Sequence, residues 1–255
     1  MLKLNTVLLF SLLLISQQVW AETTLSYNVS GSSSWYPYYI SETADRPGIL
    51  GELVPQIFAK AGIKLKKKKL PPKRTNSALE TGQLDFDVVS PSWFEHQDLG
   101  ELFVQSDPLF PIKEHIIVLN ENVTEWQSIT KIKNQQIGTV HGYLYHDDDQ
   151  FMRIDFKSER ELVMALKKQR VAAAISGDLT ALYWAKELNI GIGLAALHSD
   201  GELVVRIRKE HEQLLPQINQ AIAMLKHNGA IDAIVDKYVS RSPTHKPVSD
   251  VSVNN

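Results

Sequence analysis

Arg74 stands inside PPKRTNSALETGQLDFDVVS, residues 71–90, and the next arginine along the chain is Arg153. A planar guanidinium forks onto carboxylates better than any other side chain, so an isolated arginine after a proline pair is a candidate anion site. Its place near the start of a helix-like run costs that helix roughly 0.3–1 kcal/mol unless something negative is close. A ligand, an internal pair with Glu80 or Asp87, or solvent each answers that cost. The run YHDDD at 145–149 has the opposite sign. Three aspartates suit the start of a helix; facing a cleft, they would instead favour a cationic group. Tyr143 and Tyr145 beside them offer flat walls with hydroxyl tips, and Tyr145 would serve equally in a core.

Other chemistries find little support. The chain has no cysteine, which excludes disulfides, a lipid-modified N-terminal cysteine, thiolate metal sites and cysteine nucleophiles. Its eight histidines have no metal-like spacing, His141 and His146 being five apart around a loop, so no metal is expected. Ser90, Ser92 and Ser176 lack a Gly-x-Ser-x-Gly context. The early SGSSS lacks the lysine of a phosphate loop, and no cofactor is expected.

The elements that must position these residues follow from composition and periodicity. At 255 residues, 44% hydrophobic and 22% charged, the chain is long enough for one large domain or two small ones. Residues 1–21 read as a secretory signal: Lys3, the apolar run from Val7 to Ile15, then VWA with cleavage after Ala21. The expected product is periplasmic or secreted. Without Lys3 it holds 26 basic against 29 acidic residues, a balance that gives no drive toward nucleic acid. Residues 241–255 read as a disordered polar tail. KLKKKKL, from Lys64, reads as an exposed strand guarded by lysines.

Leu50, Leu53, Val54, Ile57, Phe58 and Ala61 follow the 3.6-residue period, and Gly62 stops that helix. Strands on either side make a β-α-β start, and a second helix and the strand LDFDVVS extend it. The same grammar returns in KIKNQQIGTV, a loop HGYLYHDDD leading into a helix, the amphipathic ERELVMALKKQ and the strand RVAAAIS. Two open α/β lobes result, with ligands expected at the carboxyl ends of the strands and between the lobes. The loops to watch are SSSWYPYY, PPKR, SPSW, VHGYLYHDDD and SGD.

The order GILGELVPQIFAKAGIKL, LETGQLDFDVVSPS, FVQSDPLF, ITKIKNQQIGTVHG, MALKKQRVAAAIS and INQAIAMLKHNGAIDAIVDKYV resembles the family 3 bacterial extracellular solute-binding proteins. The resemblance spans about residues 25–240. It implies a two-lobed type II periplasmic binding protein, each lobe an open α/β sheet, joined by two hinge strands near Phe110–Lys113 and Gly201–Val205. Lobe 1 would be 22–111 with 202–240, and lobe 2 would be 112–201.

By the same resemblance the ligand contacts are Trp35, Tyr38, Arg74, Ser90, Ser92, Trp93, Gly142, Tyr143 and Asp178. Trp35 and Tyr143 would stack, Arg74 would hold a negative or carbonyl oxygen, and Ser90, Ser92 and Asp178 would hydrogen-bond. The chain departs from the family's amino-acid clamp. Gln97 stands where its carboxylate-binding arginine falls, Gly142-Tyr143 replaces a Gly-Thr pair, and Gly177 replaces an aspartate. PPKR and GYLY mark a less usual branch.

The implied protein is a monomeric, non-catalytic receptor for a small polar solute, amino-acid-like or otherwise zwitterionic or anionic. An ABC transporter permease or a membrane sensor would be its partner. The alternatives are ligand sensing for a membrane signalling protein and a periplasmic dehydratase-like enzyme, for which Glu95 or Asp178 would supply the acid.

Overall fold

The structure, a computed structural model, describes residues 23–239 apart from 30, 33–34 and 41–44. The expected signal segment and polar tail lie outside the described residues. No helix among the described residues is long and apolar enough to cross a membrane.

Two five-stranded sheets carry the fold. The first has the order β2 (Lys64–Lys67), β1 (Thr24–Tyr27), β3 (Phe86–Val89), β10 (Val204–Arg208), β4 (Phe103–Gln105). β1 runs parallel to β2 and β3, while β10 runs antiparallel to β3 and β4. β3 is central and wholly buried, as expected of the strand LDFDVVS, with Asp87 buried among its apolar residues. β2 is an edge strand whose exposed lysines keep another chain from pairing with it. Helix α1 (Ile49–Lys60) buries Ile49, Leu50, Leu53, Val54, Ile57 and Phe58 on one stripe. It shares one core with α5 (Leu215–His227) and α6 (Ala230–Val239). Helix α2 (Pro72–Glu80) joins β2 to β3.

The chain passes to the second sheet between β4 and β5 (Pro111–Leu119) and returns between β9 (Ile192–Glu202) and β10. That sheet has the order β7 (Met152–Phe156), β6 (Gln136–Val140), β8 (Ala173–Gly177), β5 (Pro111–Leu119), β9 (Ile192–Glu202). Ile117 faces one core cluster and Ile116 with Val118 the other, so both faces of β5 are covered. Helices α3 (Glu159–Lys167) and α4 (Asp178–Glu187) pack on the Ile117 side.

The aspartates 147–149 do not open a helix: they lie in a turn, and the strand β7 follows before α3 begins at Glu159. Asp147 meets His198, and Asp148 meets Arg153, so their charge is spent on side chains and not on a helix end.

Two carboxylates tie the first lobe together and set its acid response. Burial alone would raise the pKa of Asp85, but hydrogen bonds from Ser26 N at 2.6 Å, Ser26 Oγ at 2.8 Å and His211 at 3.0 Å outweigh it and hold the group below its ordinary value. Glu52 is lowered in the same way, burial being overcome by Lys237 and Tyr238. A lowered folded pKa contributes stability that is present above the unfolded value and is lost as pH falls through the folded one. Asp85→Asn therefore lowers Tm at pH 7 but loses less on going from pH 5 to pH 3 than the wild type does. Thermal melts across that range check this, and equal acid losses in the two proteins would refute it.

Candidate functional site

The space between the lobes is assembled from strand ends. Trp35 follows β1, Pro72 and Asn76 lie on α2 after β2, Val89 ends β3 with Trp93 beyond it, Val140 ends β6, and Ser176 and Gly177 end β8. This is the carboxyl edge of both sheets, where parallel α/β folds bind ligands. Together with Glu114, Gly142, Tyr143, Tyr145 and Glu159 they line a cleft of about 600 Å³, water at its mouth included.

The lobes touch across the cleft at defined points. Ser32 N donates to Tyr143 Oη at 2.8 Å, Tyr143 donates to Glu159 Oε1 at 2.6 Å, and Ser32 Oγ donates to Glu159 Oε2. Burial raises the pKa of Glu159 although those donors favour its charge. Burial, then Glu159 itself, raises Tyr143 well above an ordinary phenol, so its proton stays on. Gly142 lies against Lys73 in the first turn of α2, and Asn76 Nδ2, a turn further on, donates to its carbonyl at 3.4 Å. Tyr36 stacks on Tyr183 with ring centroids 3.6 Å apart.

Arg153 holds the loop that carries these residues. Its guanidinium donates to the carbonyls of Tyr143 at 3.0 Å and Val140 at 3.1 Å, while Asp148 and Asp155 flank it at 2.9 Å. Tyr145 lies beneath, its hydroxyl accepting from Val140 N and its ring facing Arg153. It is both core and cleft wall.

Of the nine expected contacts, Trp35, Trp93, Gly142 and Tyr143 line the cleft. Arg74 is exposed and lies outside it. Pro72 and Asn76 sit at i and i+4 on the face turned inward, which puts Arg74 about 200° round the helix from Pro72. Asp87, one carboxylate weighed as its partner, is bound by Arg206 at 2.7 Å. Ser90 and Ser92 bond each other at 2.8 Å and pack against Gly201, on the strand returning toward the first lobe, instead of facing the cleft. Tyr38 belongs to the first lobe's core, and its pKa is driven up by burial. Asp178 is the first residue of α4 and accepts from the adjacent Leu179 N at 2.6 Å, and burial raises its pKa. Glu95, the other acid weighed for catalysis, is exposed.

The charged side chains lining the cleft are the carboxylates Glu114 and Glu159, neither of which the sequence reading singled out. Glu114 Oε2 accepts from Ser199 Oγ at 2.8 Å and lies 3.6 Å from His198 Nδ1. Burial alone would lower His198, but Asp147 and Glu114 on either side push its pKa up to about 9. Trp93 Nε1 is buried without a hydrogen-bond partner among the described residues, and so is a donor available to a ligand.

Two open α/β sheets joined by paired crossings, with a cleft at their carboxyl edges, define a two-lobed type II periplasmic binding protein. The bacterial extracellular solute-binding proteins, family 3, match residues 27–241, and the chain belongs to that family. No curated protein matches it. Among solved structures, an ancestral arginine-binding protein bound to arginine superposes with a TM-score of 0.69 at 22% identity, over 84% of this chain and 97% of that one. AbpA from Streptococcus pneumoniae bound to L-arginine gives 0.69 at 17%, over 89% and 99%. The GluR0 ligand-binding core from Nostoc punctiforme with L-glutamate gives 0.67 at 18%, over 85% and 98%. At these identities the likeness is one of fold.

Proposed function

We propose that the protein is a non-catalytic periplasmic receptor whose lobes, residues 22–111 with 202–240 and residues 112–201, close over a small polar solute bearing an amine or other cationic head. It would deliver that solute to an ABC-type permease. The observation that carries this reading is the sign of the cleft: among the described residues its charged lining is Glu114 and Glu159, and it is walled by Trp35, Trp93 and Tyr143. Aromatic faces and carboxylates together favour a desolvated cation, by about 2 kcal/mol or more for the ring contribution. The Trp93 N–H supplies a donor for one acceptor atom on the same solute. With Arg74 turned to the surface, no guanidinium among the described residues lines the cleft to meet a ligand carboxylate. This favours an organic amine or a basic amino acid over an anionic solute. The arginine ligands in two of the similar structures accord with a cationic head.

A thermal-shift screen of amines, polyamines, amino acids and dicarboxylic acids, run in EDTA, tests this. A ligand at a hundred times its Kd adds about 2.7 kcal/mol. Amines are expected to raise Tm, and Glu114→Gln is expected to remove that rise. Stabilisation by dicarboxylic acids alone would reverse the assigned polarity, and product formation from any ligand found would replace the receptor by an enzyme.

A further inference from the structure

We propose that His146, Asp147 and His198 form a binding site for a single divalent transition-metal ion, zinc being the best fit, behind the cleft wall of the second lobe. One imidazole nitrogen from each histidine and one carboxylate oxygen lie within 4.8 Å of one another. His198 Nε2 is 2.9 Å from Asp147 Oδ1, His146 Nε2 is 3.9 Å from Asp147 Oδ2, and the two imidazole centroids are 4.7 Å apart. Ligand atoms about 2.0–2.2 Å from a tetrahedral zinc lie about 3.3 Å from each other, so shifts of about an ångström would close the shell. Two imidazoles and a carboxylate suit zinc or a neighbouring first-row ion and leave a fourth position for water.

Three further features go beyond an Asp147–His198 ion pair. The first is backbone. β5 and β9 shift register so that Glu114 faces Ser199 but His115 faces Leu197, which makes His198 the extra residue of a bulge and turns it inward beside buried Ser199. The second is an outer shell. The other nitrogen of His198 has no hydrogen-bond partner among the described residues and faces Glu114 at 3.6 Å, and Ser199 fixes Glu114 in turn. A carboxylate behind the ligating imidazole is the usual support of a zinc-bound histidine. The third is His146. An ion pair does not need it, yet its ring packs on His198 with a buried Nδ1 that also has no partner among the described residues. His146 is partly exposed, its side chain 34% accessible, and gives the ion a way in.

The test is titration of the secreted chain, prepared without a histidine tag, with zinc and with cobalt. One equivalent of zinc is expected to bind with a Kd in the micromolar range or tighter and to raise Tm by several degrees, while cobalt gives the intense visible absorption of a four-coordinate ion. His146→Ala, the mildest truncation, should weaken zinc at least tenfold and abolish the cobalt spectrum. His211→Ala, which disrupts the separate Asp85, Glu210 and His211 group, should leave both unchanged. No saturable binding below about 100 µM, unaltered affinity in His146→Ala, or a loss that follows His211→Ala would each overturn the proposal.

Discussion

Gly142→Ala weakens ligand binding by at least tenfold while both lobes stay folded. A methyl group at this position meets Lys73 on the facing lobe, 2.6 Å from its backbone nitrogen, 2.9 Å from Cβ and 3.0 Å from Cα. Backbone atoms cannot swing aside, so the lobes must part. Apparent affinity falls by the factor by which the closed state is depopulated, and a penalty of about 1.4 kcal/mol on closure is already tenfold. Gly142 also has φ +82°, which costs an alanine roughly 1–2 kcal/mol in open and closed states alike. Gly229→Ala separates the two costs: it has φ +72° and nothing within 4 Å of the added carbon. Both variants should lose several degrees of Tm, and Gly142→Ala alone should lose affinity. Calorimetry with a ligand found by the screen measures the difference, and Trp35 and Trp93 fluorescence gives a second readout. Equal affinity in the two variants would show that closure does not bring Gly142 onto Lys73.

The elements that were legible in the sequence are those buried enough to show a period. The apolar stripe of α1 and the apolar residues Phe86, Val88 and Val89 of β3 could be read directly because water is excluded from one face or from both. β7 escaped because it is an edge strand, and MRIDF shows only Phe156 buried with the rest partly or fully exposed. The site was legible to the level of the loop and not of the side chain. PPKR does reach the cleft, but helix phase turns Pro72 and Asn76 inward and Arg74 out. Glu159 carries no local signal, since an acidic residue in a first helical turn is already explained by the macrodipole. Glu114 lies in PIKEHIIVL, where nothing local distinguishes a cleft carboxylate from an ordinary charged strand residue. His198 lies 51 residues from Asp147 in sequence, and only a bulge in β9 brings it inward, so spacing along the chain had no means of pairing it with His146.

Arg206→Ala costs the protein about 3–5 kcal/mol, the largest stability effect expected of a single polar substitution here. Asp87 and Arg206 face each other across the β3–β10 pair, 0% and 4% exposed, and the guanidinium forks onto the carboxylate at 2.9 and 2.7 Å. Replacing both by apolar residues would cost little, but removing one leaves a charge stranded between central strands. Arg206 also lies over the rings of Phe94 and Phe103 at 5.2 and 4.9 Å and donates to Asn76 Oδ1 at 3.4 Å. Its loss therefore loosens the side of α2 that lines the cleft. A chain of this size moves by roughly 2–4 °C per kcal/mol, so Tm should fall by about 6–20 °C. Arg206→Lys should fall between, because an ammonium keeps the charge but not the fork. The double variant Asp87→Leu with Arg206→Met should be more stable than Arg206→Ala alone. If Arg206→Ala instead loses under about 1 kcal/mol in urea unfolding, water reaches Asp87 once the arginine is gone, and the pair sets the register of β10 against β3 without holding the lobe together.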